Sequence, residues 1–126
     1  MLGYCTNVHA GGDLAATMQA LETHAVAVRD LHTPNDILPI GLWLSGAVSR
    51  EVDAAELVDR LASLRLQVFT MNGFPFGGFH QKQVGRDVYA PDWRTEERLD
   101  YTLRLAGILS RLMPGTSAGI STLPLG

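Results

Sequence analysis

Polar side chains stand at the ends of the apolar segments of this chain, and their chemistry could serve a ligand. Asn7 and His9 follow the first segment, Asn72 ends the third, and His80 lies farther along the same connection. Ligands of parallel α/β folds meet the carboxyl ends of the strands. We therefore expect these four side chains to face one pocket, with His9 and His80 as catalytic residues and Asn7 and Asn72 as substrate-binding residues.

These residue types also have ordinary structural uses. A neutral imidazole can act as a general base near neutral pH or bind a divalent metal, but a loop histidine can equally be solvated. Asn, Ser and Thr cap turns and helices in many proteins, and Ser45, Ser121 and Thr122 end the other predicted strands. His24 and His32, on or just after the first predicted helix, are expected to be solvated.

The connection over residues 73–93 is long and rich in aromatic side chains. A loop of about 20 residues is uncommon in a compact domain unless it is functional or disordered, and aromatic rings are costly to leave in water. We expect this loop to pack over the strand ends and to wall a pocket. Its predicted substrate-binding aromatic residues are Phe74, Phe76 and Trp93, with Phe79 and Tyr89 in the same wall.

Two cations follow in the same loop. Lys82 and Arg86 could hold an anionic group of a substrate, such as a carboxylate or a phosphate. The alternative is a pair of solvated cations near Asp87 and Asp92. The sequence therefore places Lys82 and Arg86 among the substrate-binding candidates and leaves this alternative open.

Composition and motifs exclude several classes of function. A net charge of −3 without a continuous basic face argues against nucleic acid as a partner. A serine-hydrolase elbow, a phosphate-binding P-loop and a dinucleotide fingerprint are all missing from the sequence. No long apolar run predicts membrane insertion, and the single cysteine fits a reducing cytoplasm. We expect a cytoplasmic protein whose partner is a small-molecule metabolite.

The elements that must position these groups alternate along the chain. Apolar runs predict strands, helical spacing of apolar residues predicts the segments between them, and Asp13 and the Asp53–Glu56 pair are typical helix starts. The predicted strands cover 3–8, 39–45, 66–72 and 118–123, and the predicted helices run from 14 to a turn at 33–36, from 53 to 64 and from about 95 to 113. The order β-α-β-α-β-α-β predicts an α/β fold with parallel strands.

Four parallel strands make half of a closed barrel. A (β/α)₈ TIM barrel needs eight strands and roughly 250 residues, so the 126 residues are expected to form a single partial domain, the first half of such a barrel. A sheet of four strands leaves two open edges. We expect the chain either to be a fragment or to pair through these edges, with a second copy as a homodimer or with another chain.

Several ordered motifs resemble those of the EboE family, called metabolite-traffic proteins. The matching segments are YCTNVH at 4–9, FTMNGFPFGGFH at 69–80, VYAPDWRTEERLDYTLRLAGIL at 88–109 and ISTLPLG at 120–126. The resemblance spans nearly the whole chain. It implies a xylose-isomerase-like TIM barrel, similar to sugar phosphate isomerases and epimerases, in a bacterial protein that works with other products of its gene cluster. Members of the family run to a whole barrel, whereas these 126 residues cover four strands.

Two functions follow from the resemblance. The first is metabolite traffic, in which the aromatic loop and the strand ends bind a small polar biosynthetic metabolite without chemistry. The alternative is a metal-dependent sugar or sugar phosphate isomerase or epimerase, truncated here. Relatives with this barrel often hold a divalent metal on later strands, so the metal, its ligands and any cofactor are left unassigned.

Overall fold

The chain folds into one parallel sheet with helices between its strands. The computed structural model describes residues 2–9, 12–77 and 89–123. The strands are β1 (Tyr4–Cys5), β2 (Leu38–Trp43), β3 (Leu66–Asn72) and β4 (Gly119–Ser121); a 3-10 turn covers Thr6–Val8; the helices are α1 (Leu14–Ala20), α2 (Val26–His32), α3 (Gly46–Glu51), α4 (Ala54–Ser63) and α5 (Glu96–Leu112), with a π-helical turn Leu21–Ala25 between α1 and α2. The predicted α/β class with alternating elements is confirmed.

The four strands lie in the order β1-β2-β3-β4, and each pair is parallel. Each strand is therefore added beside the previous one, always on the same side of the growing sheet. Right-handed crossovers, which nearly all such connections adopt, then place the intervening helices on one face. This winding brings the carboxyl ends of all four strands to one edge of the sheet.

The core lies between the sheet and its helices. Alternate residues of β2, such as Ile40 and Leu42, are fully buried and share one cluster with Leu61 of α4 and Leu105 of α5. Alternation of this kind is expected where one face of a strand packs against helices. Burying an aliphatic side chain of this size stabilises the fold by about 1.5–3 kcal/mol, so this cluster fixes how the helices sit on the sheet.

A β-bulge interrupts β3. The register pairs Ile40 with Val68 but Gly41 with Thr70, so that Phe69 is the extra residue. Val68 and Met71, three positions apart, can therefore both lie in the helix-facing core. After the bulge Asn72 points to the other face of the sheet.

Side-chain caps fix where the helices begin. Asp13 accepts from the Ala16 N–H, and Asp53 accepts from two N–H groups at the start of α4. Thr95 caps α5 in the same way. These caps satisfy backbone donors that the first helical turn leaves free. The starts predicted at Asp13 and Asp53 are confirmed.

Several features differ from the sequence predictions. The first predicted strand covers 3–8, but β1 is limited to Tyr4–Cys5, because the chain turns into a 3-10 helix at Thr6–Val8. Ser45 ends the second predicted strand but serves as the N-cap of α3, a short helix that the apolar pattern does not reveal, and accepts from the Val48 N–H. In α5, Leu99 and Leu103 have the four-residue spacing of a core stripe, but they are 48% and 59% exposed. The buried side chains of α5 lie on a neighbouring face of the helix, spaced three or four positions apart, and Tyr101 is one of them.

The second face of the sheet carries uncharged side chains, which range in size from Gly41 to Trp43. Cys5 and Gln67 on this face are exposed. A Cβ built on Gly41 would lie 2.9 Å from Cys5 Sγ and 3.4 Å from Thr70 Cγ2, so these three residues form one tight row. The glycine lets the side chains on either side of it approach each other.

Candidate functional site

The candidate site is the carboxyl edge of the sheet where β3 and β4 end. Ser121 Oγ donates to Asn72 Oδ1 at 3.2 Å, and the Gly73 N–H donates to the Ser121 carbonyl at 2.8 Å. Asn72 Nδ2 is buried and has no hydrogen-bond partner within the described part of the chain. The amide that the sequence predicts as substrate-binding thus keeps a free donor at the end of its strand.

Arg98, in the first turn of α5, reaches the same end of β3. Its side chain is fully buried, with Nε donating to the Pro91 carbonyl at 2.6 Å and Nη1 donating to the Gly73 carbonyl at 2.5 Å. The guanidinium also lies 5.4 Å from the centre of the Tyr101 ring. Burial lowers the pKa of Arg98, while Tyr101 and Asp92 favour its charged form.

Arg98 joins the two ends of the long connection. Gly73 begins the segment after β3, and Pro91 lies shortly before α5, so both ends are tied to one guanidinium. Its remaining nitrogen, Nη2, is buried without a partner among residues 2–9, 12–77 and 89–123. The site therefore contains a buried positive charge whose hydrogen bonds go to neutral carbonyl groups.

The segment after β3 packs between β2 and α5. Trp43 Nε1 donates to the Pro75 carbonyl at 2.9 Å, and the Gly46 N–H donates to the Phe76 carbonyl at 2.7 Å. The Phe76 ring meets the Tyr101 ring edge-on, with 5.1 Å between their centres. Phe76 is thus a packing residue that covers the end of β2, and its predicted role in substrate binding stays a prediction.

Phe74 and Trp93 also lie near the strand ends, whereas Phe79 lies outside the described residues. Phe74 stacks on Tyr89 with 5.8 Å between ring centres. Trp93 Nε1 donates to the Leu123 carbonyl at 3.4 Å, just after β4. Trp93 is therefore tied to the chain after β4, whereas Phe74 stacks on a ring of its own loop, and Tyr89 is 46% exposed.

The first strand contributes backbone support to the same edge. Thr6 is buried, and its Oγ1 accepts from the Trp43 N–H at 2.9 Å. Asn7 follows within the 3-10 turn and is partly exposed. The hydroxyl of Thr6 thus continues the pairing between β1 and β2 after β1 ends.

His9 contacts residues of β1 and the helix layer. Its ring stacks on His24 with 4.1 Å between centres and 8° between planes, and Nε2 is hydrogen-bonded to the Tyr4 hydroxyl. Burial and the neighbouring His24 lower the pKa of His9, and burial raises the pKa of Tyr4. His24, which was predicted to be solvated, is exposed, but its ring also contacts His9. The sequence gives no signal of this stack, because the two residues are 15 positions apart.

Three of the predicted site residues are not among those that the structure describes. His80, Lys82 and Arg86 lie outside the described residues. Within the described ranges, no three His, Cys, Asp or Glu side chains come together as metal ligands. None of the helices in those ranges is long and apolar enough to cross a membrane.

The sequence pattern missed two members of the site, Trp43 and Arg98. Trp43 looks like an ordinary apolar strand residue, and Arg98 looks like one of several solvated charges in an amphipathic helix. An aromatic N–H and a guanidinium both need partners when buried, and those partners are carbonyl groups remote in sequence. Comparisons with protein-family models, curated proteins and solved structures found no match to this chain.

Proposed function

We propose that this chain is the first half of a xylose-isomerase-like (β/α)₈ barrel and that its strand-end rim binds a small polar metabolite, as the resemblance to EboE metabolite-traffic proteins implies. The fold part of the proposal is supported by the sequential strand order. A doubly wound sheet reverses its strand order at a switch point, whereas a barrel adds each strand beside the last.

The binding part rests on unpartnered donors at the end of β3. Asn72 Nδ2 and Arg98 Nη2 are both buried without a partner in the described chain, and Gly73 connects them, since it follows Asn72 and binds Arg98 through its carbonyl. A buried donor left without an acceptor costs about 1–3 kcal/mol. A ligand with hydroxyl, carboxylate or phosphate oxygens would supply an acceptor for Asn72 Nδ2, and the buried positive charge of Arg98 behind Gly73 favours an anionic group.

Traffic without chemistry is the function that this geometry supports best. The groups that the described residues place at the ends of β3 and β4 are an amide, a guanidinium and aromatic rings, which bind and orient ligands. His9, the described candidate for acid or base catalysis, has its Nε2 engaged by Tyr4 and its ring stacked on His24. The isomerase alternative remains a prediction from the resemblance.

Binding can be measured on the isolated chain by NMR. Ribose 5-phosphate, xylose and inorganic phosphate would be titrated while the side-chain amide signals of Asn72 are followed. We expect a sugar or its phosphate to shift these signals and the backbone amide signal of Gly73. Followed through Gly73, Asn72→Leu should weaken binding about tenfold, the equivalent of one lost hydrogen bond. Asn35→Leu is the matched control, because Asn35 is exposed in the turn before β2, at the other end of the sheet.

Two results would contradict the proposal. One is the absence of binding by all three probes at millimolar concentration. The other is binding that Asn72→Leu and Asn35→Leu affect equally, since the ligand would then lie away from the end of β3.

A further inference from the structure

A groove runs between α1 and α4 in the helix layer that covers the sheet. Its volume is about 560 Å³, which is large enough for a bound ligand. The apolar side chains that line it are Leu14 and Met18 of α1, Leu57 of α4, and Val52 just before α4. Leu57 is buried, whereas the other three are only partly buried and keep apolar surface in water. Since α1 and α4 flank β2 in the chain, the groove does not depend on the edges of the sheet.

Carboxylates form the rim of this groove along α4. Asp53, Glu56 and Asp59 line it at intervals of three residues, and all three are exposed. The groove's cation, Arg60, is already paired with Glu22, with 2.8 Å between Nη1 and Oε1. The three carboxylates themselves form no ion pair with any residue that the structure describes. Like charges three positions apart on a helix repel each other, so the rim favours a cationic partner.

The start of α4 accounts for only part of this charge. Asp53 caps the helix, and Glu56 lies in its first turn, where the helix dipole favours negative side chains. Asp59 lies in the second turn, beyond the reach of that effect. The floor is also suited to a partner, because the flexible thioether of Met18 adapts its shape to the surface that it meets. An apolar floor beneath unpaired carboxylates is complementary to apolar side chains that are flanked by cations.

We propose that this groove binds an amphipathic helix of a protein partner, with Lys or Arg along the edge of its apolar face. The apolar side chains of the partner would enter the floor, as in other cases where a helix lies in a groove. Carboxylates three residues apart on α4 are separated by about 4.5 Å along the helix axis, and residues three or four apart on the partner helix by about 4.5–6 Å. Cations at that spacing can therefore face successive carboxylates of the rim.

Fluorescence anisotropy can test this with the purified chain and two labelled synthetic peptides. One is an amphipathic helix of about 14 residues made of Leu and Lys, about 21 Å long, and the other has Glu in place of each Lys. We expect the Lys peptide to bind with a Kd near about 10 µM and the Glu peptide to show no binding. Glu56→Gln with Asp59→Asn should raise the Kd of the Lys peptide about tenfold.

The matched control is Glu97→Gln with Asp100→Asn. These two residues have the same types and the same spacing, and both are exposed on α5, which does not line the groove. The control should leave the Kd of the Lys peptide unchanged, with circular dichroism showing that both double variants fold. Spermidine, which carries positive charge without an apolar face, should displace the Lys peptide only at a concentration far above that of the peptide.

Four results would overturn the proposal. They are a Kd of the Lys peptide above about 1 mM, equal binding of the Glu peptide, equal effects of the two double variants, and displacement by spermidine at the concentration of the peptide. The last result would mean that the rim binds small cations by charge alone. The groove is separate from the strand ends, so none of these results decides metabolite binding, which the Asn72 titration tests.

Discussion

Removing the Tyr101 hydroxyl should show how much its hydrogen bond to the chain after β2 contributes to the free energy of unfolding. Tyr101 is fully buried, and its hydroxyl donates to the Leu44 carbonyl at 2.5 Å. Tyr101→Phe keeps the ring and its edge-on contact with Phe76, so the change is confined to this hydrogen bond. A neutral hydrogen bond contributes about 0.5–1.5 kcal/mol, and a buried carbonyl deprived of its donor costs about 1–3 kcal/mol. We expect a loss near 2 kcal/mol in the free energy of unfolding.

Urea denaturation followed by circular dichroism would measure this loss, with a decrease of about 8 °C in Tm as a second reading. Burial raises the pKa of Tyr101, so the donor stays protonated and the loss should be the same at pH 7 and pH 9. Tyr89→Phe is the matched control, because Tyr89 is 46% exposed and should change stability by less than about 0.5 kcal/mol. Equal stability of the two variants would refute the reasoning.

Two further predictions concern the turn after β1 and the start of α3. Burial and His24 hold the pKa of His9 below its ordinary value, so the unfolded chain takes up a proton at higher pH than the folded chain. The free energy of unfolding should therefore be at its full value above about pH 6.5 and fall below that pH. Urea titrations at several pH values would measure this dependence, and His9→Gln should flatten it. Gly46→Ala should destabilise the fold by about 1–3 kcal/mol, because its Cβ would overlap the Phe76 ring. Gly107→Ala is the control: its built Cβ has no atom within 4 Å, so it should stabilise α5 by about 0.5–1 kcal/mol. Thermal unfolding of both variants decides whether Gly46 is needed for packing.

The elements could be predicted because their signals are local. The apolar run of β3 and the cap at Asp53 each depend on a few neighbouring residues, and both were located correctly. The buried face of α5 could not be predicted in this way. Leu99 and Leu103 have the spacing of a core stripe, but Arg98 and Tyr101 are buried instead. The carbonyl groups of Gly73, just after β3, and of Leu44, just after β2, accept their hydrogen bonds.

The candidate site was predicted only in part for the same reason. Asn72 and Ser121 meet because parallel strands end together, a rule that needs only the order of the elements. The position of His9 depends on the path of the chain after β1, where a 3-10 turn is followed by the stack on His24. A contact of that kind is set by tertiary structure and has no periodic trace.

The bulge at Phe69 also determines where β3 can change length. Deleting one residue between Val68 and Met71 would remove the bulge and leave Met71 in the core and Asn72 at the rim. A deletion inside β2, whose six residues contain no such surplus, would turn every later side chain of that strand to the opposite face. Related chains should therefore tolerate gaps at position 69 of β3, while β2 should keep a constant length.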